Sequence, residues 1–325
     1  MAASEPRTDF WRGRAVTVTG GSGFLGGAVV RLLGEREAKA RIVRSADYDL
    51  RDAAAAIEAL AGSDTIIHCA ASVGGIGFNQ ANPAPQLREN VLIDLNVVEA
   101  ARRNRTPKLV IAGSVCVYPK LTPVPFREEE IWNGYPEETN GPYGIAKRVG
   151  QELAATYRRQ YGLDAVVPLL ANLYGPGDHF DEDRSHVIPA LIRRFSEARE
   201  RGDSSVEVWG TGRASREFLY VDDAARALLL AAERLEGAEP VNIGTGSETT
   251  IRELAERIRE LTDFEGEIAW DTSKPDGQPE RRLDVTRARE LIGFEAAVEL
   301  DEGLRRTVGW YRAMSETAAA PASGG

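Results

Sequence analysis

The run Thr19-Gly20-Gly21-Ser22-Gly23-Phe24-Leu25-Gly26 follows an apolar, β-branched stretch, Ala15–Thr19, and leads into a helical one. A turn without Cβ atoms at that place lets a pyrophosphate approach the backbone and lie on the helix N-terminus. It marks the first strand-helix unit of a dinucleotide-binding fold and singles out Gly20, Gly23, Phe24, Leu25 and Gly26 as cofactor-binding residues. Glycine turns also serve as plain left-handed turns; the position between strand and helix carries the cofactor reading.

The same alternation continues through the first half of the chain, with apolar runs at Val16–Val18, Ile66–Ile67 and Leu109–Ile111 separated by Ala/Leu/Arg-rich segments. Strands apolar throughout suit a parallel sheet buried on both faces. The expected fold class is therefore α/β, a doubly wound parallel sheet of Rossmann type with a second, smaller α/β substrate domain. Gly/Pro/Asp-rich loops after Asn172, a helix from about Val187 to Arg201 and a strand Val206–Trp209 open the second domain. The expected division is 1–175 plus about 217–246 for the first, about 176–216 plus 247–316 for the second, and a disordered tail over 317–325.

Charge and cysteine content narrow the partners. Forty Lys and Arg against fifty Asp and Glu leave a net charge of −10, which repels a phosphate backbone and argues against nucleic acid. No apolar run approaches the roughly 20 residues of a membrane span, and the N-terminus lacks the apolar core of a signal peptide. Two cysteines, Cys69 and Cys116, are too few for a disulfide framework and typical of a reducing compartment, so a cytoplasmic location is expected. No metal is expected.

The second strand ends at Arg44 and Ser45, with no carboxylate to hold a ribose 2′-hydroxyl. Arg44 suits a 2′-phosphate and favours NADP(H), although it also reads as a solvated surface residue; Asp49 and Leu50 fall where an adenine is held. Tyr143 and Lys147 stand at i and i+4 on one helix face, where the ammonium is expected to lower the phenol's pKa and make it a proton-transfer group. Ser114 and Cys116, two apart at the end of the strand Lys108–Ala112, share one face if the strand stays extended. Cys69 and His68, on a core strand, read as structural. His179 reads as solvated.

In this order the glycine turn, Ser114 and Tyr143-x-x-x-Lys147 resemble the extended short-chain dehydrogenase/reductases. Ser185-His-Val-Ile-Pro189, the Val73-Gly-Gly-Ile segment, Gly113-Ser-Val-Cys-Val-Tyr-Pro-Lys120, Asn172-Leu-Tyr-Gly-Pro, Arg216-Glu-Phe-Leu and Ser273-Lys-Pro-Asp-Gly277 resemble the GDP-L-fucose synthase family more narrowly, over about residues 14 to 312. The resemblance implies a substrate with a GDP-linked 4-keto-6-deoxy sugar, inversion at C3 and C5, and NADPH-dependent reduction at C4. It implies Cys116 and His186 as the acid-base pair and Tyr143 as proton donor beside Ser114. Lys147, Asn172 and His186 become cofactor contacts, and Arg194, Trp209, Arg216 and Asp276 substrate contacts. It implies a homodimer through the helices Gln86–Asn104 and Tyr143–Tyr161. Three features depart from the family: Ser22 stands where members carry Arg, the Arg after the second strand is differently placed, and Asp181-Glu182-Asp183 precedes His186. A C3/C5 epimerase or a 4-reductase acting on another nucleotide-linked 4-keto sugar is the competing enzyme reading; a cofactor-sensing Rossmann protein without catalysis is the competing non-enzyme reading.

Overall fold

The computed structural model describes residues 4–74, 79, 81–182, 185–274 and 276–319. Gly75, Ile76 and Gly77 of the glycine-rich segment, Asp183, Pro275 and the tail beyond 319 lie outside the described residues. Strands β1 (Ala15–Thr19), β2 (Lys39–Val43), β3 (Thr65–His68), β4 (Lys108–Ile111), β5 (Gly113–Ser114), β6 (Ala165–Val166), β7 (Pro168–Leu170) and β8 (Asn172–Tyr174) come from the first half of the chain. β9 (Ser205–Trp209), β10 (Ser215–Arg216), β11 (Phe218–Tyr220), β12 (Val241–Ile243), β13 (Thr249–Thr250) and β14 (Glu267–Asp271) follow.

A parallel five-stranded sheet runs β2-β1-β3-β4-β6, and single-residue breaks after β4 and β6 lead into β12-β7-β5, with β8 beside β11. This is the doubly wound arrangement expected. Register aligns Thr19 with both Val43 and His68, and His68 with Ile111. The glycine turn, Arg44, Cys69 and the Ala112–Ser114 segment therefore emerge at one carboxyl edge, where open α/β sheets bind ligands.

The helix Gly141–Tyr161 begins with Pro142 in its first turn and ends at Gly162, whose φ of +70° is the left-handed C-terminal stop. Its small residues Gly144, Ala146, Gly150 and Ala154 are buried, so its backbone comes close to its neighbours.

A second apolar cluster joins Ile188, Ile192 and Phe195 of the helix Val187–Arg201 to Val208 of β9 and to Leu254 and Ile258 of the helix Ile251–Leu261. Two expectations are corrected here. Leu283, Ala288, Ile292 and Phe294, placed in the second domain from sequence, pack in the first core; Phe126 N–H donates to Arg282 O and Asp284 N–H to Phe126 O, at 2.8 and 2.9 Å, tying that segment to the first body. Residues 317–319 continue the helix Leu300–Ala319 and do not begin a disordered tail, since Ala318 and Ala319 favour helix and Thr317 Oγ1 donates back to Ala313 O.

Candidate active site

Gly20 has φ +66°, and a Cβ there would lie 2.9 Å from the Ala70 backbone; a Cβ on Gly26 would lie 2.1 Å from Gly20 O. Glycine is thus demanded at one position by conformation and at the other by helix-to-turn contact. The helix Phe24–Glu35 starts from Gly23 with no side-chain cap and no acidic residue in its first turn, which leaves its N–H groups free for an anion. These features fit a dinucleotide pyrophosphate.

The turn opens onto a cleft of about 600 Å³. Gly20, Gly23, Phe24, Leu25 and Gly26 line its head, and Arg44, Asp49 and Leu50 line the flank next to β2. Ser114, Cys116, Tyr143, Lys147, Asn172 and His186 line the remainder. Arg44 is exposed, Leu50 buried. Hydrogen bonds from Arg51 hold the Asp49 carboxyl below its usual range.

Cys116 reaches the cleft by a route other than strand phase. β5 stops at Ser114 and Val115–Val117 forms a 3-10 turn, because Ser114 Oγ accepts the Cys116 N–H at 3.2 Å. The expected shared strand face is therefore corrected, although both side chains line the cleft. Gly144 packs directly on this turn: a Cβ there would lie 2.3 Å from Cys116 O. A cation stands at the sulfur: Arg281 Nη1 is 3.9 Å from Sγ. Gln278 Oε1 holds Arg281 at 3.1 and 3.0 Å.

Lys147 turns to Asp94, with Nζ 3.5 Å from Oδ1. The expectation of a lowered Tyr143 pKa is corrected too. Burial pushes the phenol above its ordinary value, electrostatic interaction with Cys116 and Asp94 acts in the same direction, and hydrogen bonding with Ser114 opposes them. Asp94 also accepts from His68 Nε2 at 3.0 Å, and His68 Nδ1 meets Thr19 Oγ1 at 2.6 Å. Burial holds His68 below its ordinary value. For Asp94, burial acts to raise the carboxyl, but the Lys147 charge and the His68 hydrogen bond outweigh it and leave it lowered.

His186 is the N-terminal boundary residue of the helix Val187–Arg201 and makes no capping hydrogen bond with its side chain. It presents an exposed edge to the cleft, while the protein packed around it, and then His179, hold its imidazole below the ordinary value. His179 is exposed, as expected. Its neighbour Asp178 is buried, accepts the His179 N–H at 2.7 Å and keeps Oδ2 without a partner among the described residues. Burial pushes this carboxyl up to about 7.

Arg194, Trp209, Arg216 and Asp276 do not line this cleft. Arg194 reaches Glu207 O at 3.3 Å; its neighbour Arg193 pairs with Glu197. Trp209 is 54% exposed with Lys274 over its ring. Asp276 accepts from Thr211 N and Oγ1 at 2.6 and 2.7 Å. Arg216 donates to Gln278 O at 2.6 Å, next to the Arg281 that faces Cys116, and burial followed by the Arg281 charge pulls it down to about 10. Arg216 and Asp276 thus belong to a rim adjoining the sulfur. Sequence reasoning missed Asp94, Asp178 and Arg281. The available signal for Asp94 was a carboxylate on the inner face of a long helix opposite a histidine in a core strand, since buried charges are paired.

Residues 16–244 match the NAD dependent epimerase/dehydratase family. A protein named probable GDP-L-fucose synthase 1, from Oryza sativa subsp. japonica, is 41% identical over 318 residues, 96% of each chain. The GDP-L-fucose synthase of Escherichia coli (strain K12) is also 41% identical, over 91% of this chain and 96% of its own. Among solved structures, a GDP-L-fucose synthetase from Naegleria fowleri bound to NADP superposes with a TM-score of 0.88 at 28% identity, covering 98% of both chains. A GDP-6-OMe-4-keto-L-xylo-heptose reductase from C. jejuni gives 0.88 at 27% identity, over 96% of this chain and 100% of its own. With its glycine turn, its Ser-Tyr-Lys set and these matches along nearly its full length, the chain belongs to the NAD dependent epimerase/dehydratase family.

Proposed function

We propose that the protein converts GDP-4-keto-6-deoxy-D-mannose to GDP-L-fucose, inverting C3 and C5 and then reducing the C4 ketone with NADPH. One observation carries this reading: a phenol, a thiol and an imidazole face one cleft that starts at a turn shaped for a pyrophosphate, in a chain similar throughout to GDP-L-fucose synthases.

C3 and C5 both flank the ketone, so each C–H is acidified when the ketone oxygen takes up negative charge. Cys116 removes a proton from one face and His186 returns one to the other, while Ser114 and Tyr143 hold the oxygen. NADPH, when bound, supplies the hydride for C4. Tyr143, kept protonated at neutral pH by burial, then gives its proton to the same oxygen, and Lys147 holds the nicotinamide ribose. Arg44, exposed directly after β2 on the flank of the cleft, supports NADP(H) over NAD(H). The rim of Arg194, Trp209, Arg216 and Asp276 takes the GDP half, the guanidiniums suiting its diphosphate. A cytoplasmic homodimer is part of the same reading; Leu95 and Tyr161, exposed on the two long helices, supply apolar surface for pairing.

A second reading, a 4-reductase for another GDP-linked keto sugar, draws on the equally high likeness to the heptose reductase. Incubation with GDP-4-keto-6-deoxy-D-mannose and NADPH in deuterated water, followed by NMR of the sugar, separates them. GDP-L-fucose labelled at C3 and C5 supports the first; NADPH consumption without label, with this sugar or only with a GDP-linked 4-keto heptose, supports the second; no NADPH consumption with either sugar overturns both.

A further inference from the structure

Beneath the cleft, four polar side chains from four elements are joined in a line. Thr19 ends β1 and meets His68 Nδ1; His68 ends β3 and meets Asp94 Oδ1; Asp94, on the helix Pro83–Arg103, meets Lys147 on the helix Gly141–Tyr161. The side chains of His68 and Asp94 have no exposure and that of Lys147 has 4%. Thr19 Oγ1 accepts the Ala70 N–H at 3.2 Å, which leaves its own proton for His68 Nδ1. The His68 Nε2–H then donates to Asp94, so every donor in the line points toward the one carboxylate. Gly150 preserves the space: a Cβ there would lie 2.5 Å from Asp94 Oδ2.

We infer that Asp94 and His68 are positioning residues for ketone reduction: they fix Lys147 and fasten it, through Thr19, to the glycine turn, so that the cofactor loop and the proton-donor helix keep one geometry. The inference rests on the reductase reading above. A buried ammonium needs a counter-ion, and a carboxylate alone would serve stability; the extension through His68 to the residue preceding Gly20 is what links Lys147 to the cofactor side. The ionisable groups around the pair are few. Lys147 is faced by Asp94, His68 and Cys69, and Tyr143 by Cys116 and Asp94, with Ser114 as a hydrogen-bond partner.

The test uses the full-length enzyme. Asp94→Asn keeps the side chain's size and removes its charge. The turnover rate for NADPH oxidation is expected to fall about tenfold to hundredfold, with KM for the sugar nucleotide within about threefold of wild type. Deuterium exchange at C3 and C5, which depends on Cys116 and His186, is expected to persist. The alkaline limb of the turnover profile moves to lower pH, because the Asp94 charge is among the factors holding the Tyr143 phenol up. A readout independent of turnover is the proton on His68 Nε2: a downfield, exchange-protected resonance in the wild type, shifted upfield in Asp94→Asn and absent in His68→Phe. Gly150→Ala displaces the carboxylate with every polar group retained and is expected to reproduce the loss of turnover in part, so a poorly folding Asp94→Asn does not end the test. Turnover and alkaline limb of both variants within about twofold of wild type, or exchange falling in parallel with reduction, overturns the inference. A wild type that oxidises NADPH with neither this substrate nor a GDP-linked 4-keto heptose removes the reductase reading instead, and the His68 resonance still shows whether the line of hydrogen bonds exists.

Discussion

The guanidinium of Arg281 stands 3.9 Å from the sulfur of Cys116. Two contacts to Gln278 and one from Gln278 Nε2 to Lys120 O keep it there. A sulfur that takes a proton from carbon, or gives one back, changes charge during the step, and a cation held in place beside it costs no reorganisation. Arg281→Gln is therefore expected to slow deuterium incorporation at C3 and C5 by about tenfold or more, and Cys116→Ser nearly to abolish it, with NADPH affinity retained in both. NMR of the exchanging sugar checks this; undiminished exchange in Cys116→Ser removes the thiol from the chemistry.

Tyr143→Phe deletes the proton donor and leaves the ring's packing intact. Reduction is expected to drop by about a hundredfold to ten-thousandfold while part of the exchange survives, since Ser114 still contacts the ketone oxygen. Parallel assays of NADPH oxidation and isotope exchange measure the two; full reduction by the variant refutes the assignment.

Arg44→Ala tests cofactor choice. A guanidinium reading a 2′-phosphate contributes to NADPH and nothing to NADH, so the variant is expected to weaken NADPH by about tenfold or more and NADH hardly at all. Fluorescence titration with both nucleotides decides, and equal losses show that Arg44 does not read the phosphate.

Asp178 makes stability depend on pH. Its carboxyl titrates near 7 in the folded protein and near 3.9 in an unfolded chain, so between those values the native state binds the extra proton. Its contribution to stability is complete below the lower value and is lost as pH rises through about 7, a difference on the order of 4 kcal/mol. Asp178→Asn mimics the protonated form: its Tm is expected to match wild type in acid and exceed it by several degrees on the alkaline side. Paired thermal melts across pH check this; a constant difference between the two proteins argues against the assignment.

Periodicity and turn chemistry are local, and what depends on them was readable. The strands Ala15–Thr19 and Val206–Trp209, the latter one residue longer in the structure, the helix Val187–Arg201 and the glycine turn lie where the pattern placed them. The cleft residues were readable as well, because Tyr143 and Lys147 share a helix face and the carboxyl edge of the sheet gathers the others. Contacts between distant segments were not. Leu283 joins the first core through a pairing with Phe126, 157 residues earlier. Ser114 turns the chain by capping, which strand phase cannot register. The partners of Lys147 and Cys116, Asp94 and Arg281, come from other elements, so the charge around Tyr143 followed from tertiary contacts and opposed the expectation drawn from Lys147 alone.

Gly144 rests on the carbonyl of Cys116 with no space for even a methyl group between them. The helix that bears the phenol and the turn that bears the thiol are thus spaced by main chain against main chain, a separation that exchanging either reactive side chain leaves unaltered. On the proposed reading, a change in the sugar accepted has to come from cleft residues outside this contact, while the span between the two proton-handling groups stays constant from one substrate to the next.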